Sequence, residues 1–246
     1  MPIPKAQNVA SVIASALPPP RRLQDGSLRF EKCMPEFSPN LTPAEVLSLG
    51  SFGGGYFRDI SSKVTGKTHV RVWEELPAEW LEGLDVPTQV ASQTYRNKIN
   101  RYGVRSGVTN GKGDAFGLLA WEEKGWIEEQ DPYGWFQWYC RFYLGRRSED
   151  DDRQIGRWLG ICGERGRWKN NLIAQCVKAG KSYEDESVSP VIRQTLQHWA
   201  YRLTQKDFDA YALKVRAGAK TAFIPGGVVH VTSPAGTEGG GGGGGG

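Results

Sequence analysis

The sequence lacks the features expected of membrane proteins and metal-cluster proteins. No run of about 18 apolar residues occurs, so we predict no membrane-spanning segment and no membrane partner. The four cysteines stand far apart without a CxxC pair, and only three histidines accompany them. These counts argue against a zinc cluster and a disulfide framework. We therefore predict no metal and no cofactor, and a reduced, intracellular compartment, nuclear or cytoplasmic.

Both ends of the chain lack the composition of a folded core. Residues 1–26 contain a triple proline, and no acid precedes Asp25. We predict that this segment is disordered, with an organelle-targeting leader over residues 1–24 as the alternative. Residues 218–246 end in eight consecutive glycines. Such a run cannot bury a core, so it is predicted to be a disordered tail.

Residues 27–217 have the composition of one globular domain with two differently patterned halves. The nine tryptophans of the chain argue against wholesale disorder. The half from 27 to 130 is rich in glycine and proline, with short elements between turns. A capping-box pattern in Thr42–Glu45 predicts a helix start. The other predicted elements of this half are a short strand at Val70–Trp73 and helices at Tyr95–Gly103 and Asp114–Trp126.

The half from 131 to 217 is more clearly helical. Tyr133–Leu144 is aromatic on nearly all sides, which is typical of a central, covered helix. Apolar spacing and capping residues predict four further helices, which begin near Asp151, at Trp168, after Ser189 and near Thr204. We therefore predict a mainly α fold: a compact multi-helix bundle with a Gly-rich, partly irregular N-terminal half and a short β element.

Three local patterns are candidates for chemistry, each with a structural alternative that we favour. The Gly53–Gly55 run can bind an anion through backbone amides or form a tight turn. Asp131 is a weak candidate for a general base, and otherwise the cap of the aromatic helix. The acidic run Glu149–Asp152 can hold a divalent ion, or form a charged network with neighbouring arginines.

A basic stretch gives the best functional signal. Residues 153–181 contain seven basic side chains and one acid, Glu164. Within them, two helices around Gly163–Gly166 have the length of a helix-turn-helix pair. Arginine, lysine and asparagine at such a turn are typical contacts to phosphates and base edges, whereas a solvated charged face is the alternative. The predicted nucleic-acid-binding residues are Arg146, Arg147, Arg157, Arg165, Arg167 and Lys169.

Several longer motifs resemble a known group of proteins. They are Gly50–Arg58, Asp131–Tyr139 with Gly145–Arg147, Asp151–Ile155 with Arg157–Trp158, and Ser189–Trp199. Together they resemble a functionally uncharacterised group that we associate with fungi, algae and large DNA viruses. The resemblance covers residues 36–203, and it implies one unit with added tails. It carries no activity or catalytic residues, and its association with DNA viruses favours nucleic acid by analogy alone.

Three classes of function remain open at this point. The first is nucleic-acid binding without evident catalysis, through the six basic residues above. The second is an enzyme whose pocket lies between Gly53–Arg58 and Asp131–Tyr139. The third is a structural subunit of a larger assembly, with protein partners bound through the tails or through exposed tryptophans such as Trp73, Trp80 and Trp121.

Overall fold

The computed structural model describes residues 17–106 and 117–218. These ranges contain eight α-helices and two small antiparallel sheets, so the predicted mainly α class with a short β element is confirmed. The predictions for residues 1–16, for residues 219–246 and for the first part of the helix at Asp114–Trp126 lie outside the described residues. Residues 17–26, the end of the segment predicted to be disordered, are described, and Arg21 and Arg22 in it pair with Arg29 and Leu28 respectively.

The helices are short in the first half and longer in the second. Strand β1 (Arg21–Arg22) pairs with β2 (Leu28–Arg29), and β3 (Ile60–Ser61) pairs with β4 (Thr68–His69). The helices are α1 (Pro43–Ser48), α2 (Val86–Gln89), α3 (Leu118–Glu123), α4 (Trp135–Tyr143), α5 (Asp151–Cys162), α6 (Arg167–Ala179), α7 (Pro190–His198) and α8 (Gln205–Arg216). Short 3-10 turns occur at Phe52–Gly54, Val72–Glu75, Ala78–Trp80 and Asn97–Ile99.

Helix α4 forms the centre of the core, as its aromatic pattern predicts. Seven of its nine residues are buried. The ring of Phe37 from the first half lies 5.9 Å from Trp138 and 5.7 Å from Phe142, and Phe30 lies 5.1 Å from Phe142. Residues before position 58 thus cover one side of α4, and the two halves of the chain share one hydrophobic cluster.

A buried tyrosine completes the first turn of α4. Gly134 precedes the helix and offers no capping side chain. The Tyr56 hydroxyl accepts hydrogen bonds from the backbone amides of Phe136 and Gln137 at 3.0 and 3.2 Å, and donates to the Tyr133 carbonyl at 2.6 Å. Because a helix leaves its first amides without internal acceptors, this hydroxyl satisfies two groups that would otherwise be buried unpaired.

The later helices pack around α6, which contacts α5, α7 and α8. The Thr204 side chain caps α8 by accepting from the amide of Asp207 at 3.2 Å. Helix α7 begins at Pro190 as predicted, but the cap differs. Ser189 lies in the left-handed region at φ 50°, and its hydroxyl donates to the Gln175 side chain instead of capping the helix.

Two predicted elements of the first half are wrong. The strand predicted at Val70–Trp73 ends earlier, at His69, because Arg71 takes a left-handed φ of 51° and turns the chain into a 3-10 helix. The helix predicted at Tyr95–Gly103 is reduced to the 3-10 turn at Asn97–Ile99. The backbone amides of Arg96 and Arg101 donate to the carbonyls of Gly53 and Gly50, so this segment pairs with the glycine run instead of forming its own helix.

None of the helices within residues 17–106 and 117–218 has the length and apolar character needed to cross a membrane.

Candidate ligand-binding cavity

A cavity of about 590 Å³ lies between the two segments named in the pocket hypothesis. Phe52, Tyr56 and Arg58 line one side, and residues 133–136 at the start of α4 line another. Further walls come from residues 157–168 of the α5–α6 pair and from the end of α7. The volume lies within the range of about 300–1,000 Å³ that is typical of small-molecule sites.

The lining of the cavity is mainly aromatic. Ten Phe, Tyr and Trp side chains contribute to it, and five of the nine tryptophans of the chain are among them. These tryptophans are Trp121, Trp126, Trp135, Trp168 and Trp199. Aromatic faces of this kind favour a flat, unsaturated ligand, since stacked rings bury apolar area with a defined geometry.

The charge of the lining has one sign. Four arginines line the cavity (Arg58, Arg105, Arg157 and Arg167), and no Asp or Glu is among the described residues that do so. None of the four forms an ion pair in the part of the chain that the structure describes. Other arginines are neutralised, for example Arg141 by Glu75 at 2.6 Å and Arg146 by Asp131 at 2.5 Å.

Aromatic rings and a carbonyl hold three of these arginines in place. The guanidinium of Arg157 lies 5.9 Å from the Trp126 ring and 5.5 Å from the Trp199 ring, and that of Arg105 lies 4.6 Å over Tyr95. Arg58 donates to the carbonyl of Gly55 at 2.9 Å. Such contacts orient a guanidinium without cancelling its charge. Burial lowers the pKa of Arg157 to about 10, with a smaller contribution from the nearby positive charge of Arg153, so Arg157 stays positively charged at neutral pH.

Most hydroxyl groups of the lining are already committed to the protein. Tyr56 and Tyr133 donate to the carbonyls of Tyr133 and Arg58, while Ser92 and Thr195 donate to those of Thr94 and Val191. Within the described ranges, the Tyr95 hydroxyl only accepts, from the Asn100 side-chain amide at 2.8 Å, so its proton has no acceptor there.

The one histidine of the lining is paired with a serine. The Ser106 Oγ lies 2.9 Å from His198 Nδ1, and the backbone amide of Phe52 donates to His198 Nε2 at 2.9 Å. The His198 ring also stacks on Phe52, with a centroid distance of 4.1 Å. Burial lowers the pKa of His198 to about 3, so the imidazole is neutral at physiological pH.

The glycine run packs closely against a neighbouring loop, and its backbone amides are bonded within the protein rather than available to an anion. The amides of Phe52, Gly53, Gly54 and Gly55 donate to His198, the Asn100 side chain, and the carbonyls of Ser51 and Phe52 respectively. A Cβ on Gly54 would lie 2.0 Å from the Thr88 carbonyl oxygen. The glycines therefore let this segment lie against residues 88–95, in agreement with the favoured tight-turn interpretation.

The candidate base Asp131 lies in an ion-pair cluster outside the cavity lining. Its side chain is 1% exposed and contacts Arg146 at 2.5 Å and Arg141 at 2.9 Å. Helix α4 has Gly134, not Asp131, at its N-cap position. The carboxylate thus forms ion pairs with two arginines. It is placed neither as a general base in the cavity nor as the cap of α4.

The six predicted nucleic-acid contacts do not form one surface. Lys169 is 5% exposed and pairs with Asp207 at 3.1 Å, and the Arg147 guanidinium lies 3.8 Å from the centroid of the Phe142 ring. Arg146 is the partner of Asp131 described above. Arg157 and Arg167 line the cavity, and Arg165 is exposed on the turn between α5 and α6.

The acidic run forms the charged network that we favoured. Arg153 pairs with Asp150 at 2.5 Å, and Asp151 accepts from the indole nitrogen of Trp138 at 2.8 Å and from the backbone amide of Ser148 at 3.0 Å. Among the described residues, no cluster of His, Cys, Asp and Glu side chains is suited to hold a metal ion.

The tryptophans proposed as an assembly surface are half-buried. Trp80 packs edge-on against Tyr143 at 5.6 Å, Trp121 lines the cavity, and the Arg71 guanidinium lies 5.6 Å from the Trp73 ring. None of the three is among the exposed large apolar side chains of the described residues.

Compared with protein-family models, with curated proteins and with solved structures, the chain has no significant match.

Proposed function

We propose that the protein binds an anionic ligand with a flat unsaturated ring, of which a nucleotide is the simplest example. The observation that supports this is a set of four arginines around one aromatic cavity, none of which has a carboxylate partner within residues 17–106 and 117–218. An excess of positive charge in a partly desolvated site is costly unless an anion offsets it. The five tryptophans supply the surface on which a ring stacks.

Direct titration tests this proposal, because ligand stacking on the cavity tryptophans is expected to change their fluorescence. The probes are AMP, adenosine without the anion, inorganic pyrophosphate without the ring, and 1-naphthoate as a different flat anion. AMP is expected to bind more tightly than adenosine and pyrophosphate. Comparison with 1-naphthoate tests whether the site requires a phosphate or accepts a carboxylate.

Two arginines separated by one residue provide a matched pair of variants. Arg167 lines the cavity, whereas Arg165 is exposed and does not. Arg167→Gln is expected to weaken AMP binding by roughly tenfold or more, since hydrogen bonds to charged groups contribute about 1.5–3 kcal/mol. Arg165→Gln is expected to leave it unchanged. Equal losses in both variants would contradict binding in the cavity.

Nucleic-acid binding by the α5–α6 hairpin is the second candidate, supported by the exposed Arg165 at the turn. It predicts that labelled single- or double-stranded DNA or RNA binds with a steep salt dependence, and that Arg165→Gln and Arg167→Gln both weaken binding. In contrast, the cavity proposal predicts that only the Arg167 variant affects a mononucleotide. The same two variants therefore separate the two candidates.

A further inference from the structure

Serine and histidine, the residue types of Ser106 and His198, form a nucleophile and its general base in many enzymes. Their side chains are 2.9 Å apart, and both line the cavity. A serine becomes a nucleophile when the histidine nitrogen that faces it is unprotonated and accepts the hydroxyl proton. The role of the pair therefore depends on which imidazole nitrogen carries hydrogen.

The hydrogen-bond partners of His198 Nε2 determine which nitrogen of the ring carries the hydrogen. The backbone amide of Phe52 donates to Nε2 at 2.9 Å. The Gln194 side-chain nitrogen lies 3.0 Å from the same atom. The orientation of that amide is fixed, because its oxygen accepts from the Tyr102 backbone amide at 3.1 Å and its nitrogen donates to the Gly50 carbonyl at 3.2 Å.

His198 is therefore the Nδ1–H tautomer. Nε2 faces two N–H donors, so it is an acceptor and carries no hydrogen. In a neutral imidazole the hydrogen then resides on Nδ1, which donates to Ser106 Oγ. The serine oxygen is occupied as an acceptor, and its own proton has no acceptor among the described residues, so it is available for a group in the cavity.

The cavity otherwise offers mainly donors. The four arginines have only donor groups, and the Tyr95 hydroxyl accepts from Asn100 and has no acceptor of its own among the described residues. Arg105 and Ser106 are adjacent in the chain and both line the cavity, so one short segment contributes a guanidinium and a hydroxyl to its lining. This set of groups matches the acceptor oxygens of a phosphate or carboxylate.

We propose that Ser106 is a specificity-determining hydrogen-bond donor to the anionic group of the cavity ligand, and that His198 is its positioning residue and not a general base. This rests on the proposed function and deepens it: the ligand must present an acceptor oxygen to Ser106. The path from the Gly50 carbonyl through Gln194 and His198 to Ser106 sets the direction of the donor.

The tautomer is tested without any ligand. Proton–nitrogen correlation spectra of the full chain with labelled histidine distinguish the two neutral tautomers, and His198→Asn assigns the signals. The expected result is a protonated Nδ1 in His198 at pH 7. A protonated Nε2, or covalent labelling of Ser106 by a fluorophosphonate, overturns the proposal.

The donor role is tested with AMP and inorganic pyrophosphate as probes. Ser106→Ala is expected to weaken AMP binding about tenfold, in the range of a hydrogen bond to a charged group. Ser106→Thr keeps a hydroxyl and is expected to restore most of the affinity. His198→Asn keeps a side-chain N–H near the Nδ1 position and is expected to lose less affinity than His198→Phe, which removes that donor.

The outcomes separate this inference from the proposed function. If Arg167→Gln weakens AMP binding but Ser106→Ala does not, the cavity binds the anion and the inference on Ser106 is wrong. If Ser106→Ala weakens AMP and adenosine equally, the effect does not involve the anionic group, and the inference is also wrong. A wild-type protein that binds none of the probes contradicts both proposals.

Discussion

The arginine side chains of this protein are held by two different kinds of partner. Arg141 and Arg146 contact the buried carboxylate of Asp131, and breaking such a buried pair leaves an uncompensated charge. The Arg157 guanidinium lies 5.9 Å from the Trp126 ring and 5.5 Å from the Trp199 ring, and its charge has no ion-pair partner among the described residues. The arginines paired with Asp131 stabilise the fold, whereas Arg157 keeps a positive charge that is available to a ligand.

His198 is the residue whose environment gives the clearest dependence of stability on pH. The unfolded chain takes up a proton at His198 near pH 6.5, whereas burial lowers the pKa of the folded residue to about 3. Below pH 6.5 the unfolded state binds more protons, so the free energy of unfolding falls as the pH falls toward 3. Between pH 7.5 and 5, His198 is expected to lower the free energy of unfolding by roughly 2 kcal/mol, and His198→Asn is expected to abolish this contribution. Urea denaturation at several pH values measures it.

His69 provides the control for this prediction. Its pKa is lowered in the same direction, mainly by burial, but it is not as deeply buried as His198. His69→Asn is therefore expected to flatten the pH dependence less than His198→Asn does. A wild-type protein whose stability is constant between pH 7.5 and 5 would show that His198 is not held neutral by the fold.

At the scale of elements, the segment from Gly50 to Gly55, which contains the glycine run, shows how the irregular half is held together. The carbonyls of Gly50, Gly53 and Gly54 accept hydrogen bonds from the backbone amides of Arg101, Arg96 and Ser92 respectively. The run thus pairs with a neighbouring loop by backbone contacts, which a side chain would block.

Gly54→Ala is expected to destabilise the protein by roughly 3 kcal/mol or more, because the new Cβ overlaps a backbone oxygen that cannot move without shifting the loop. Gly54 has a φ of 79°, and its Cβ would lie 2.0 Å from the Thr88 oxygen. Gly26 has a similar φ of 82° with no atom within 4 Å. Gly26→Ala is therefore the matched control, with an expected cost of only about 1–2 kcal/mol for the left-handed conformation. Equal shifts of the urea unfolding midpoint in both variants would contradict the view that Gly54 is required for close packing against Thr88.

The elements that could be predicted from the sequence are those with local causes. The capping box at Thr42 and the 3.6-residue periodicity of α5 and α6 are local, and each is present where expected. The segment Tyr95–Gly103 was not predictable in this way. Its basic, helix-like pattern is overridden by hydrogen bonds to Gly50 and Gly53, which lie more than forty residues away.

At the scale of the whole molecule, the cavity could be predicted only in part. Its two aromatic segments, Gly53–Arg58 and Asp131–Tyr139, stand out in the sequence by glycine and aromatic content. No sequence pattern marks Arg105, Ser106 and His198 as site residues. They come together at the cavity only because the fold places α7 beside the loop after residue 92. The basic count over residues 153–181 also could not separate Lys169, which pairs inside the fold, from Arg167, which lines the cavity.

The shared core predicts that the helical half is not independently stable. A fragment of residues 131–218 contains α4 to α8 but loses Phe30, Phe37, Val46 and Phe57, all buried in the same cluster as α4. Removing one buried phenylalanine side chain costs about 3–5 kcal/mol. For the three phenylalanines alone this amounts to about 9–15 kcal/mol, which is comparable to the whole of the roughly 5–15 kcal/mol that stabilises a typical domain. We expect the fragment to lack a cooperative urea transition and near-ultraviolet circular dichroism, whereas residues 17–218 show both. Mixing fragments 17–130 and 131–218 is expected to restore part of the signal, and a sharp transition in fragment 131–218 alone would show that the helical half is a separate domain.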